Sequence, residues 1–147
     1  MISNIDIITP AVVAGIITLG IYIPICKLKE FVEEFKTKLS KIEDDALEKI
    51  EETLIEVAIV TGKNNPNDVD KEGRLLIALK VVELKSAMGD FNKLRNEKIK
   101  AFDILFRPNL MREIAEVRQE ALFKCIDDVN EIVTLTRDAY GSKIEEI

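Results

Sequence analysis

From Ile7 to Cys26 the chain runs twenty residues without a charged side chain, although a third of its 147 residues are Asp, Glu, Lys or Arg. At about 1.5 Å of rise per helical residue, such a run matches a hydrocarbon core of roughly 30 Å. Pro10, Gly15, Gly20 and Pro24 punctuate it. In a soluble core helix these residues are costly, whereas in lipid neighbouring helices re-satisfy the backbone groups they free. The run therefore reads as a membrane span, with residues 1–26 as the membrane segment and residues 27–147 as a separate helical body. Met1 to Asp6 holds an acid and no Lys or Arg, the wrong flank for a cleaved secretion leader. Lys27, Lys29, Lys36, Lys38 and Lys41 follow the span closely. By the positive-inside rule, the N-terminus is then outside and the body cytoplasmic in a single-pass arrangement. Ala11 with Gly15, and Ala14 with Thr18, form small-xxx-small steps on which two spans can approach closely.

The body is rich in Glu, Lys, Leu, Ile, Val and Ala and has no Trp and no His, which favours helix over sheet. Without His, the chain lacks the commonest general base and the commonest transition-metal ligand. Cys26 and Cys125 show no CxxC spacing, so neither a zinc site nor a disulfide framework is indicated. The fold expected is all-α: one transmembrane helix, then a long antiparallel helical hairpin and a third amphipathic helix in a coiled-coil-like bundle.

Leu28, Val32, Phe35, Leu39, Ile42 and Ala46 recur at alternating steps of four and three, the seam of a coiled coil. The stripe then slips by one residue and continues through Leu47, Ile50, Leu54 and Val57, a stutter. Glu34 with Lys38 and Asp45 with Lys49 stand in the favourable i,i+4 order on its polar face. The run Gly62-Lys-Asn-Asn-Pro-Asn-Asp ends this helix and makes a hairpin tip. A second helix reads from Asp70 or Gly73 to Phe106, its seam being Ile77, Val81, Leu84, Met88 and Phe91, extended by Leu94, Ile99 and Phe102. Arg107-Pro108-Asn109 is the next break. The third helix carries Leu110, Ile114, Val117, Ala121, Cys125, Val129 and Ile132 on one face and frays near Gly141.

Helices of 35 and 33 residues extend roughly 50 Å each, so the second break should return to the membrane surface. Residues 93–112 hold six basic side chains and two acids, whereas residues 43–72 hold ten acids and three lysines. A basic base beside anionic headgroups and an acidic tip away from them fit that geometry. Phe102 and Phe106, next to Arg107, would dip into the interface beside Lys27 and Lys29. The same basic stretch would suit nucleic acid, but a net charge of −6 and the absence of a recognised module oppose it.

Asp68-Val-Asp70-Lys-Glu72-Gly73 has the opening rhythm of a calcium loop, yet its twelfth position is Leu79 rather than the required bidentate Glu. Asp68 or Asp70 reads more simply as a helix cap. Glu43, Asp44, Asp45, Glu48, Glu51 and Glu52 read as a solvated face. No phosphate loop and no nucleophile beside a base occurs. The expectation is a non-enzyme without cofactor, nucleic-acid or small-molecule partner. It would be a membrane-anchored helical scaffold or accessory subunit, a homo-oligomer or part of a larger complex on the lipid bilayer. Adjacent apolar residues at Leu54-Ile55, Leu75-Leu76-Ile77 and Ile132-Val133 widen the stripes beyond one partner's reach. The alternative is a phage or viral membrane protein, either a holin-like lysis factor or a membrane-associated virion component. Dye release from vesicles would separate lysis from scaffolding.

Overall fold

The computed structural model describes residues 25–63, 69–99 and 101–147, without the side chains of residues 25–29, 31, 101, 102 and 105. The described residues form four helices: α1 (Ile25–Lys63), α2 (Lys71–Asn96), the short α3 (Ala101–Phe106) and α4 (Leu110–Tyr140). There is no strand among the described residues. The architecture is an all-α bundle of three long helices running out, back and out again. The expected span, residues 7–26, lies outside the described residues except for the backbone of residues 25 and 26, and with it lie Ala11, Ala14, Gly15 and Thr18. Among the described residues no helix is long and apolar enough to cross a membrane.

The expected hairpin is corrected in one respect. Helices α1 and α2 do run antiparallel, but α4 is the element on which both pack, and they meet each other only through side chains. Its buried face explains why. Met111, Ala115, Arg118, Leu122, Cys125, Val129, Ile132 and Thr136 follow alternating steps of four and three, and Ile126 and Val133 widen that seam to serve two partners.

All but one of the chain breaks described are local in origin. Asp70 caps α2 by accepting from the Glu72 N–H at 3.4 Å, as its sequence position implied. Gly73 permits a close approach where α2 crosses the end of α4, since a Cβ there would sit 3.2 Å from that of Ala139. The second helix ends at Asn96 rather than at Phe106: Glu97 turns extended at φ −61°, ψ 135°, and its N–H bonds the Leu94 carbonyl. No Gly or Pro marks that stop. Tertiary packing makes it, turning Ile99 and Ile104 inward under Val32 and Phe35. Helix α4 ends at Gly141, which takes the left-handed conformation at φ 66°. The chain does not fray beyond it, since residues 142–147 fold back along α4 and bury Ile144.

Two apolar compartments result. The lower holds Val32, Phe35, Leu39, Ile104, Met111 and Ala115. The upper is built on Ala46, Ile50, Val57, Leu84, Ala87, Phe91 and the distal two-thirds of the α4 seam.

A buried ionic layer and an open apolar face

Between the two compartments lies a layer of charge. Glu43 is 2% exposed and Arg118 4%. The guanidinium of Arg118 grips the Glu43 carboxylate with both ends, Nε donating to Oε2 at 3.0 Å and Nη2 to Oε1. Arg95 of α2 brings its Nε to 3.7 Å from Glu43, pairs with Asp44, and donates to the Ser40 carbonyl at 3.3 Å. Burial lifts the Glu43 carboxyl above its ordinary value, outweighing the opposing pull of Arg118 and Arg95. One residue from each long helix is therefore tied at a single level. Glu43 also marks the stutter, which falls earlier than the Ala46-Leu47 slip expected from the sequence: the buried α1 seam runs Val32, Phe35, Leu39, Glu43, Ala46, Ile50 with two successive steps of four.

A second polar tie stands higher. Lys80 of α2 lies 3.3 Å from Asp128 and 2.6 Å from Glu131 of α4, and 2.8 Å from Glu83 on its own helix. Those acids, Glu131 first, hold its ammonium well above the usual lysine range, and Lys80 in turn lowers Glu83. Nearby, Cys125 is fully buried and its thiol is pushed up to about 11, chiefly by desolvation, which leaves it unreactive.

These ties displace several expected packing residues. On α2 the seam passes through Ile77, Lys80, Leu84, Ala87 and Phe91. Val81 is therefore 43% exposed and Met88 half-buried. On α4 the burial of Arg118 turns Val117 outward to 46% exposure and leaves Ile114 and Ala121 half-buried. On α1, Val32, Phe35 and Leu39 are buried as expected, Ile42 is half-buried beside Glu43, and the Leu28 side chain is outside the described set. At Ile42, Val81 and Val117 the cause is the same: the charged neighbour, Glu43, Lys80 or Arg118, takes the inward position and turns the apolar residue aside, and on α2 and α4 the seam shifts with it onto Ala87, Ala115 and Leu122. A signal existed, since Glu43 and Arg118 fall on their own helices' repeats with opposite sign.

The other outstanding feature is apolar surface. Leu75, Leu79 and Val82 recur at i, i+4 and i+7 on the face of α2 opposite Ile77, Leu84 and Phe91. Leu79 is 63% and Val82 67% exposed. From Leu75 to Val82 the helix is apolar on nearly every side, a pattern normally seen when a helix is surrounded. Val81 faces α1, and Ile55 and Ile59 of α1 are likewise exposed. Between α1 and α2 a groove of about 490 Å³ is lined by Leu47, Ile50, Glu51, Leu54, Ile55, Ala58, Met88 and Asn92. Of the three apolar clusters singled out in the sequence, Ile132-Val133 is fully buried, while Ile55 and Leu75-Leu76 stand open beside the buried Ile77.

At the opposite end, Phe106 is 72% exposed. Its neighbour Arg107 pairs with Glu113 at 2.7 Å, and Arg112 with Glu116 at 3.3 Å, so acids from the first turns of α4 offset part of the basic run. Arg95 belongs to the ionic layer and not to that base, just as Glu43 belongs to it and not to an acidic tip. The side chains of Lys27, Lys29 and Phe102 lie outside the described set. The i,i+4 pair Glu34–Lys38 is formed at 3.0 Å. Among the described residues no group of three or more Cys, Asp or Glu is placed to hold a metal ion.

Compared with protein-family models, with curated proteins and with solved structures, the chain matches none.

Proposed function

We propose that this chain is an assembly scaffold: a helical rod tethered to a bilayer by residues 7–26, lying on the inner side, that associates with further copies of itself through the open face of α1 and α2. The observation that carries this reading is the exposed apolar stripe Leu75, Leu79 and Val82 with Ile55 and Ile59 beside it. Fully burying a Leu, Ile or Val side chain contributes about 1.5–3 kcal/mol. Covering what remains exposed of these residues and Val81 recovers about half of that each, so about 12 kcal/mol over the two halves of a symmetric pair. Association costs about 4–15 kcal/mol in lost freedom, so such a face offsets all but the upper end of that range, and a second anchor in the same membrane raises the effective concentration further. The tether rests on the uncharged run in the sequence.

The test is the mass of the full chain in mild detergent, by light scattering coupled to size exclusion. A dimer or higher oligomer is expected, and Leu79→Glu combined with Val82→Glu should yield a monomer of unchanged helicity, because both side chains already face solvent within one copy. A full chain that stays monomeric and remains in the aqueous fraction without detergent overturns the reading.

A further inference from the structure

We propose that the flank of α4 carrying Asn130, Thr134 and Arg137 is a binding groove for an extended peptide with two apolar residues three apart and acids between them, held shut in cis by residues 142–147. The three side chains recur at i, i+4 and i+7 and form one stripe along the helix. Asn130 reads both main-chain groups of a single residue: its Oδ1 accepts from the Ile147 N–H at 2.8 Å and its Nδ2 donates to the Ile147 carbonyl at 3.5 Å. Arg137 Nε donates to the Ile144 carbonyl at 2.5 Å, and its Nη1 lies 3.5 Å from Glu146. Thr134 Oγ1 lies 3.1 Å from a Glu146 carboxylate oxygen. Ile144 supplies the apolar anchor, buried in the upper compartment, with Ile147 packed against its edge.

Side chains alone hold this backbone. Beyond the Gly141 N–H, which closes α4 on the Arg137 carbonyl at 2.8 Å, residues 142–147 make no main-chain hydrogen bond to another main-chain group among the described residues. That is how a groove recognises a peptide, with an amide and a guanidinium reading the backbone and a pocket reading a side chain. The seat is also incomplete. A cleft of about 590 Å³ separates the segment from α1, lined by Lys49, Glu52, Thr53 and Glu56 on the helix side, and the Ser142 hydroxyl is buried without a partner. A segment whose backbone is held by side chains of one helix, with a single apolar anchor in the core and a cleft of that size at its back, opens without unfolding the bundle.

The experiment uses the labelled peptide Ser-Lys-Ile-Glu-Glu-Ile and fluorescence anisotropy. The chain shortened to residues 1–141 should bind it saturably, and the full chain at least about 10-fold more weakly, because its own segment competes. Asn130→Ala or Arg137→Ala in the shortened chain should weaken binding about 10-fold, the equivalent of one or two lost hydrogen bonds, and a peptide with both isoleucines replaced by alanine should not bind. A shortened chain of native helicity that fails to bind, or a full chain that binds equally well, overturns the proposal. Should the shortened chain not fold, hydrogen exchange on the full chain decides. An Ile147 amide exchanging at least about 100-fold faster than those of Val129 and Ile132 shows local opening and supports it. Exchange of all three only through global unfolding makes the segment part of the core and overturns it.

Discussion

The Glu43–Arg118 pair allows a sharp test, because its two members are not equally dependent on each other. Removing one partner of a buried ion pair costs about 3–5 kcal/mol, since the charge left behind is desolvated and uncompensated. Glu43 has two cations near it, Arg118 in hydrogen-bond contact and Arg95 at 3.7 Å. Arg118 has Glu43 as its one acid among the described residues. Arg118→Met therefore leaves a carboxylate that is still partly compensated, at a cost near the lower end, about 3 kcal/mol. Glu43→Leu strands a guanidinium that is 4% exposed, at a cost near the upper end, about 5 kcal/mol. The double variant removes both charges, and Leu and Met fill comparable space between two apolar compartments, so it should match the natural chain or exceed it by about 1–4 kcal/mol. Urea unfolding of the full chain in mild detergent, followed by far-ultraviolet circular dichroism, reads all four corners of the cycle. The reasoning fails if Arg118→Met costs as much as Glu43→Leu, or if the double variant is no more stable than the worse single one.

Three further outcomes follow from the packing and the charges. Phe91→Ala and Leu122→Ala, both within the upper compartment, should each cost about 2–5 kcal/mol in thermal or urea unfolding, whereas Val81→Ala and Val117→Ala should change stability by less than about 0.5 kcal/mol; the reverse ranking would restore the seam first read from the sequence. Gly73→Val drives side-chain atoms into Ala139, where a Cβ alone already sits at 3.2 Å, and should cost about 1–3 kcal/mol, with Ala139→Gly in the same chain recovering part of the loss. Because the folded state binds a proton at Glu43 more tightly than the unfolded chain does, that carboxyl's contribution is fully present below its ordinary value of 4.5 and is lost as pH rises through its raised folded-state value. The stability of the natural chain relative to Glu43→Gln should accordingly fall as pH rises from about 4, and a relative stability that rises with pH refutes the assignment.

The helical class, the tip after Thr61, the Asp70 cap and the break at Arg107 could be read from the sequence because each rests on local chemistry: periodicity, a glycine and proline cluster, a side-chain oxygen at a helix start. The lower seam of α1 was readable for the same reason, since Val32, Phe35 and Leu39 are apolar and regularly spaced. What local chemistry could not supply was the partner of each charged seam residue. Lys80 and Arg118 look solvated on their own helices, and only the acids at Asp128 and Glu43, 48 and 75 residues away respectively, make their burial affordable. The stop at Asn96 was hidden likewise, because the demand for it comes from Val32 and Phe35 and not from residues 96–100. The open face on α2 was half visible as the Leu75-Leu76-Ile77 triplet, but only the placement of α4 decides which side of that triplet is covered.

The same charges account for why the third helix, and not the second, fills the place beside α1. Arg95 pairs with Asp44 and donates to Ser40 O, and that register sets Lys80 opposite residues 55–59, where α1 offers Val57, Ile59 and one exposed acid, Glu56. A bare two-helix hairpin would leave the Lys80 ammonium without Asp128 and Glu131, and the Glu43 carboxylate with Arg95 at 3.7 Å but without its bidentate partner. Helix α4 carries the answer to both, Arg118 for α1 and Asp128 for α2, ten residues or about 15 Å apart along one helix. Sliding α4 by one seven-residue repeat keeps its apolar seam in place, yet it parts both ion pairs at once, so the apolar pattern permits several registers and the paired charges leave one. With α4 committed to that position, no other helix among the described residues covers the outer faces of α1 and α2, which leaves Ile55, Leu75, Leu79 and Val82 exposed.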